Sequence, residues 1–217
     1  DDGKEVPAAS RFLAKGALPI SIVCALIYFG YSSILSFLMS FAAEIQQETA
    51  AQYFFSVYAL AMLVTRPFTG KIFDKKGQWY ALMPGMLGFA AGMLVLSRTD
   101  SAVLLLIAAA FLGFGVGVTQ SAGLAAAVEA VKGKHLALGN STFYICLDLA
   151  VGVGPLLLGY LLRFTGYRGM YLSMAVLSLL CVILYHGIYR RQASDTAKAV
   201  KEELRREYVY KRRELNS

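Results

Sequence analysis

The 217 residues are 57% hydrophobic and only 16% charged, and the apolar ones fall in repeated long runs. Runs of about 20 apolar residues match the thickness of a bilayer and exclude an ordinary soluble domain. The net charge of +7 does not point to nucleic acid, because the basic residues lie between the apolar runs and in the tail, as at membrane interfaces.

Residues 1–16 read as a cytoplasmic linker. The chain begins Asp1-Asp2-Gly3, without an initiator Met or a charged-then-apolar leader, so we expect a piece of a longer protein. Six apolar runs follow, at 17–43, 50–65, 80–97, 102–128, 136–162 and 169–188. Each must be helical, because lipid leaves every backbone polar group to be satisfied within its own span. The expected fold class is therefore an all-α membrane protein with six transmembrane helices. Short polar connections at 44–49, 66–79, 98–101, 129–135 and 163–168 separate the spans, and 190–217 forms a basic cytoplasmic tail. Cys24, Cys146 and Cys181 lie inside apolar runs without C-x-x-C spacing and read as buried neutral thiols, with no metal site.

Lysine and arginine fix the expected orientation. With the N-terminus inside, eighteen of them fall on the inner side and three on the outer, namely Arg98, Arg163 and Arg168. Both termini are thus expected in the cytoplasm of a plasma-membrane protein, bacterial in type.

At mid-depth, polar residues concentrate in spans one, two, four and five. Span one carries Tyr28, Tyr31, Ser32, Ser33 and Ser36, span two Tyr58, and span four Thr119, Gln120 and Ser121. Span five carries Asp148, the one acidic residue placed deep in any span. A carboxylate in hydrocarbon costs roughly 3 kcal/mol or more, so such residues face a cavity or a partner and usually serve transport. Asn140, Tyr144 and Asp148 are spaced one helical turn apart, and Gly152, Pro155 and Gly159 continue the row as a smooth face for helix approach and a permitted kink. Gly113-x-Gly115-x-Gly117 in span four lacks the preceding strand of a dinucleotide site and reads as helix packing or flexibility.

The segment after span two reads Arg66-Pro67-Phe68-Thr69-Gly70-Lys71-Ile72-Phe73-Asp74-Lys75-Lys76-Gly77. Its Gly70, Asp74, Lys75 and Gly77 resemble the signature loop of the major facilitator superfamily, G-x-x-x-D-[RK]-x-G, although the trailing basic pair is replaced by Gln78 and Trp79. Span five, with Asn140-Ser141-Thr142-Phe143 and the Gly154-Pro155 pair, is similar to the eleventh helix of the drug:proton antiporters in that superfamily. The resemblance implies the C-terminal six helices of a twelve-helix transporter, built as two inverted three-helix repeats. It further implies that the signature segment forms a cytoplasmic gating motif in which Asp74 helps to lock that face, and that the second and fifth helices border the missing N-terminal half.

These residues and the resemblance together lead us to expect proton-coupled efflux of small amphipathic compounds by alternating access. Asp148 would be the coupling or cation-recognising carboxylate, and Tyr28, Tyr31, Tyr58, Gln120, Asn140 and Tyr144 would supply stacking and hydrogen bonds. The expected partners are the bilayer, the N-terminal half and the small-molecule substrate. No cofactor is expected, the proton gradient serving as energy source, and no enzyme, since no second catalytic group shares the depth of Asp148. The alternatives are a carrier of a lipid, sugar or metal chelate, or a self-contained six-helix channel or carrier acting as a homodimer. In the tail, Glu202 with Arg206 and Glu207 with Lys211 have the favourable i,i+4 order for a charged helix.

Overall fold

The computed structural model describes the backbone of residues 14–131 and 136–214, and side chains as far as residue 190. The tail pairs Glu202–Arg206 and Glu207–Lys211 and part of the 129–135 connection lie outside the described residues. The described residues form helices joined by short turns, with no strand among them. These are α1 (Leu18–Glu44), α2 (Glu48–Lys76), α3 (Gln78–Ser97), α4 (Ala102–Glu129) and α5 (Leu136–Glu214).

The expected fifth and sixth helices follow one another with a single residue between them, and α5 carries both. α5 turns at a single non-helical residue, Gly166, which divides it into a first arm, 136–165, and a second arm, 167–214. The predicted polar connection at 163–168 is therefore helical apart from that glycine. The second connection, predicted over 66–79, differs in the same way. α2 continues through Lys76, and only Gly77 separates it from α3. Polar and basic residues end an apolar run without ending a helix, since Lys and Arg are good helix formers and Lys75 and Lys76 suit the negative C-terminal end of α2.

Both corners use glycine for the same steric reason. Gly77 stands at φ 85°, ψ 172° and Gly166 at φ 65°, ψ 177°, a region that side chains with a Cβ avoid. Other ends follow local chemistry: α1 carries Pro19 in its first turn, where a missing N–H costs nothing, and Ser101 accepts a hydrogen bond from the Leu104 amide.

Four segments are long and apolar enough to cross a membrane: Leu18–Glu44, Gln78–Ser97, Ala102–Glu129 and Leu136–Arg190. The expected span at 50–65 lies within α2, a less apolar helix because Gln52, Ser56 and Arg66 interrupt its apolar residues.

α4 is the packing centre, and its glycine triplet explains why. Gly113 abuts the Tyr58 carbonyl of α2, and a Cβ on Gly117 would lie 2.6 Å from the Thr65 hydroxyl of the same helix. Between them, Gly115 faces α3, where a Cβ would meet the Phe89 amide nitrogen at 2.5 Å. The triplet thus admits two helices at once, on two faces of one helix. α1 packs against α5, and the second arm is pinned to α3 where the Ser178 hydroxyl donates to the Met86 carbonyl at 2.8 Å.

The helix ends sort into two groups. At one, Arg168 forms an ion pair with Asp100 and donates to the Thr99 carbonyl, joining the Gly166 corner to the α3–α4 connection. At the other, the chain entering α1 meets the end of α4 and the start of α5: the Ala14 amide donates to Thr142 at 2.8 Å, and Gly16 sits against the Ala130 carbonyl. Trp79, at the start of α3, stacks there on Tyr185 and Tyr189 of the second arm.

Candidate functional site

Three of the expected residues come together as an aromatic cluster between α1 and α2. The rings of Tyr31 and Tyr58 stack at 5.7 Å and 12°, and Tyr28 meets Tyr31 edge-on at 5.7 Å. Tyr28 and Tyr58 are buried and Tyr31 is half-buried, so Tyr31 offers the open part of the cluster. Offset and edge-to-face contacts of this kind hold rings in fixed orientation and add to their burial energy.

The serines expected beside them do something else. Ser32 and Ser33 are buried, and their hydroxyls donate to the Phe29 and Gly30 carbonyls of their own helix. They are thereby satisfied without water and do not line a cavity. In α4, Thr119 is buried, and the Ser121 hydroxyl turns back to the Gly117 carbonyl. The Thr119 carbonyl accepts from Cys24 Sγ of α1, and the Gln120 side chain accepts a hydrogen bond from Arg66 Nη2 of α2 at 3.5 Å.

Asn140, Tyr144 and Asp148 lie on one exposed face of the first arm of α5, as their spacing requires. Asp148 is exposed and, among the described residues, has neither hydrogen bond nor ion pair. Exposed apolar side chains flank that face on one side, among them Ile145, Leu149 and Leu156. α2 carries a comparable exposed row in Leu60, Leu63, Val64 and Phe68.

Among the described residues, no helix closely approaches the face of Gly152, Pro155 and Gly159. A Cβ on Gly152 would meet nothing within 4 Å, and one on Gly159 only ordinary contact with Phe37. The close approach falls instead at Gly154, which abuts the Ser32 side chain of α1. α5 also runs through Pro155 without leaving helical geometry. Gly-Pro neighbours signal packing in either case, but sequence spacing does not say which face the neighbour occupies.

The signature segment is spread along the last turns of α2. Gly70 meets nothing, Lys75 is exposed, and Gly77 makes the corner. Asp74 is exposed and borders an open cavity of about 480 Å³ lined also by Phe73, Gly77, Gln78, Glu129 and Tyr189. Arg66, grouped with this motif in the sequence, reaches Gln120 of α4.

Several contacts at the site had no sequence signal, among them Arg66 with Gln120 and Cys24 with the Thr119 carbonyl. They depend on which faces of distant helices meet. Gly123 carried a partial one: a small residue in an apolar helix, it lies where Cys24 of α1 and Phe143 of α5 converge on α4.

Comparison with known proteins agrees with this architecture. A family model described as Major Facilitator Superfamily matches residues 20–215. The multidrug resistance protein MdtG of Proteus mirabilis (strain HI4320) is 30% identical over 169 residues, covering 74% of this chain and 41% of that protein. The uncharacterized MFS-type transporter YddS of Bacillus subtilis (strain 168) is 30% identical over 137 residues, covering 62% of this chain and 31% of that protein. The chain thus spans less than half the length of these curated relatives. Among solved structures, the peptide transporter POT in complex with alafosfalin superposes with a TM-score of 0.65 at 18% identity, over 81% of this chain and 38% of that one. Sequence and fold converge, and the chain belongs to the major facilitator superfamily, a family of transporters rather than enzymes.

Proposed function

We propose that this chain is the C-terminal half of a secondary active transporter that exports small amphipathic compounds in exchange for protons. α2 and the first arm of α5 would border the N-terminal half, and the two bundles would rock about a substrate held between them at the bilayer midplane. Both termini would lie in the cytoplasm, in a plasma membrane of bacterial type, consistent with the eighteen-to-three distribution of Lys and Arg.

The observation that carries this reading is the exposed Asp148, without a partner among the described residues, in a long apolar helix. Lipid cannot solvate a carboxylate, so the face that bears it must meet water or another protein surface. An exposed carboxylate in such a helix can exchange protons whenever water reaches it and lose that access when the opposite bundle closes over it. Tyr31 and Tyr58 would supply a stacking surface for the apolar part of a substrate, with Gln120, Asn140 and Tyr144 as hydrogen-bonding groups. The similarity to multidrug resistance proteins supports this substrate class. Asp74 would act at the cytoplasmic closure.

Asp148→Asn in the full transporter, reconstituted in liposomes under an imposed pH gradient, tests the coupling role. Proton-driven flux should be lost while folding and expression are retained, since the side chain makes no structural contact. Undiminished flux would remove Asp148 from coupling.

A further inference from the structure

We propose that the turn at residues 14–17 is a strap between the end of α4 and the start of α5, and that Thr142 is the positioning residue through which it acts on the first arm of α5. The inference rests on the transport reading above, in which that arm carries Asn140, Tyr144 and Asp148.

Three backbone segments meet where the chain enters the bundle. The Ala17 amide donates to the Ala14 carbonyl at 3.0 Å, closing a turn in which Ala14 and Ala17 are buried. Gly16 lies so near α4 that a Cβ on it would stand 2.7 Å from the Ala130 carbonyl oxygen. Gly139, in the first turn of α5, would place one 3.1 Å from the Ala127 carbonyl oxygen of the same helix end. The Ala14 amide closes the triangle by donating to Thr142 Oγ1 at 2.8 Å, across 128 positions of sequence. Main-chain atoms form most of this junction, and they cannot rotate out of the way as side chains do.

The Thr142 hydroxyl is engaged in both directions. It donates to the Leu138 carbonyl one turn back at 2.7 Å and accepts from Ala14, so its single hydrogen and one lone pair are both in use. Without that acceptor the Ala14 N–H would be a buried donor with no partner among the described residues, and leaving such a group unpaired costs more than an ordinary bond contributes. Thr142 stands about 200° round the helix from both Asn140 and Tyr144. The attachment is thus on the buried side of the arm, while the row of Asn140, Tyr144 and Asp148 is exposed on the other. Holding one side of a rigid helix sets the direction in which the opposite side points.

α5 packs mainly against α1 and α3 and less against α4. The strap therefore adds a tie between the start of the first arm and the end of α4. On the transport reading, the chain reaching Ala14 comes from the other half. Displacement between the halves is then delivered to the turn, and through Thr142 to the arm that bears the binding row.

The test compares Thr142→Val, which keeps the shape and removes the acceptor, with Thr142→Ser, which restores it, in the purified full transporter. Hydrogen exchange followed by mass spectrometry should rise about fivefold or more over residues 14–17 and 136–148 in Thr142→Val and stay within about twofold at the Gly166 corner. Thr142→Ser should return most of that loss. A cysteine introduced as Asn140→Cys should react with a water-soluble maleimide at a clearly altered rate beside the valine and at the original rate beside the serine. Unchanged exchange over 136–148, exchange raised equally along every helix, or no recovery with serine would each overturn the strap. These readouts need no substrate; loss of the strap bond without any change in proton-driven flux would leave the strap standing and count against the transport reading of the arm instead.

Discussion

Gly154 and Ser32 meet so closely that a methyl group on the glycine would overlap the serine hydroxyl. That hydroxyl is already committed to the Phe29 carbonyl, so it cannot swing aside without leaving a buried polar group unpaired. The contact sets how near α1 and the first arm of α5 can lie.

A pair of substitutions on the same arm isolates this effect. Gly154→Ala should destabilise the bundle by about 1–3 kcal/mol, the usual range for overfilling a packed interior. Gly152→Ala has open space around it and should be neutral or slightly stabilising through helix propensity. Thermal unfolding in detergent, followed by loss of monodisperse protein, compares the two; equal midpoints would refute the assigned contact.

The glycine triplet of α4 predicts a directional result. Gly113→Ala drives a methyl into the Tyr58 backbone and should displace α2, while Gly115→Ala acts on α3 through Phe89. Both should lower stability by about 1–3 kcal/mol, and only the first should also disturb the Tyr31–Tyr58 stack. Fluorescence quenching of a ligand bound against these tyrosines would separate them.

At the opposite extreme stands Arg168–Asp100. The two side chains are 43% and 72% exposed, so Asp100→Asn should cost less than about 1 kcal/mol, because water screens the pair. A fall in unfolding temperature as large as that of Gly154→Ala would show that the pair is more enclosed than its exposure indicates.

The corners yield a prediction of backbone origin. Gly77→Ala and Gly166→Ala place a Cβ in a region only glycine enters comfortably, and each should cost about 1–3 kcal/mol although nothing lies within 4 Å of either site. Denaturant titration in mixed micelles would measure it. Neutral substitutions would mean that the corners adopt another conformation.

The hydropathy of the chain located the centres of the helices but not their ends. α1 and α4 begin and finish near their apolar runs, because polar residues and a serine cap coincide there with the turns. α2 and α5 do not, because basic residues propagate a helix as readily as leucines do, and one glycine suffices to reverse direction. At the candidate site, the one-turn spacing of Asn140, Tyr144 and Asp148 was legible, since a shared face follows from periodicity alone. The contact of Arg66 with Gln120 was not, since it depends on which neighbour each helix turns toward. The lesson of Gly152 against Gly154 is the same: composition announces contact, and rotation about the axis decides its address.

The one-residue corner at Gly77 leaves no slack between α2 and α3. Inserting one residue into either adjoining helix would rotate everything beyond it by about 100° and carry the wrong side of α3 toward α4. Any swing of α2 against α3 must also pass through the two torsions of that glycine. The pair therefore behaves as a bent rod rather than as two rods on a string, and a push on the signature segment is delivered directly to the bundle interior.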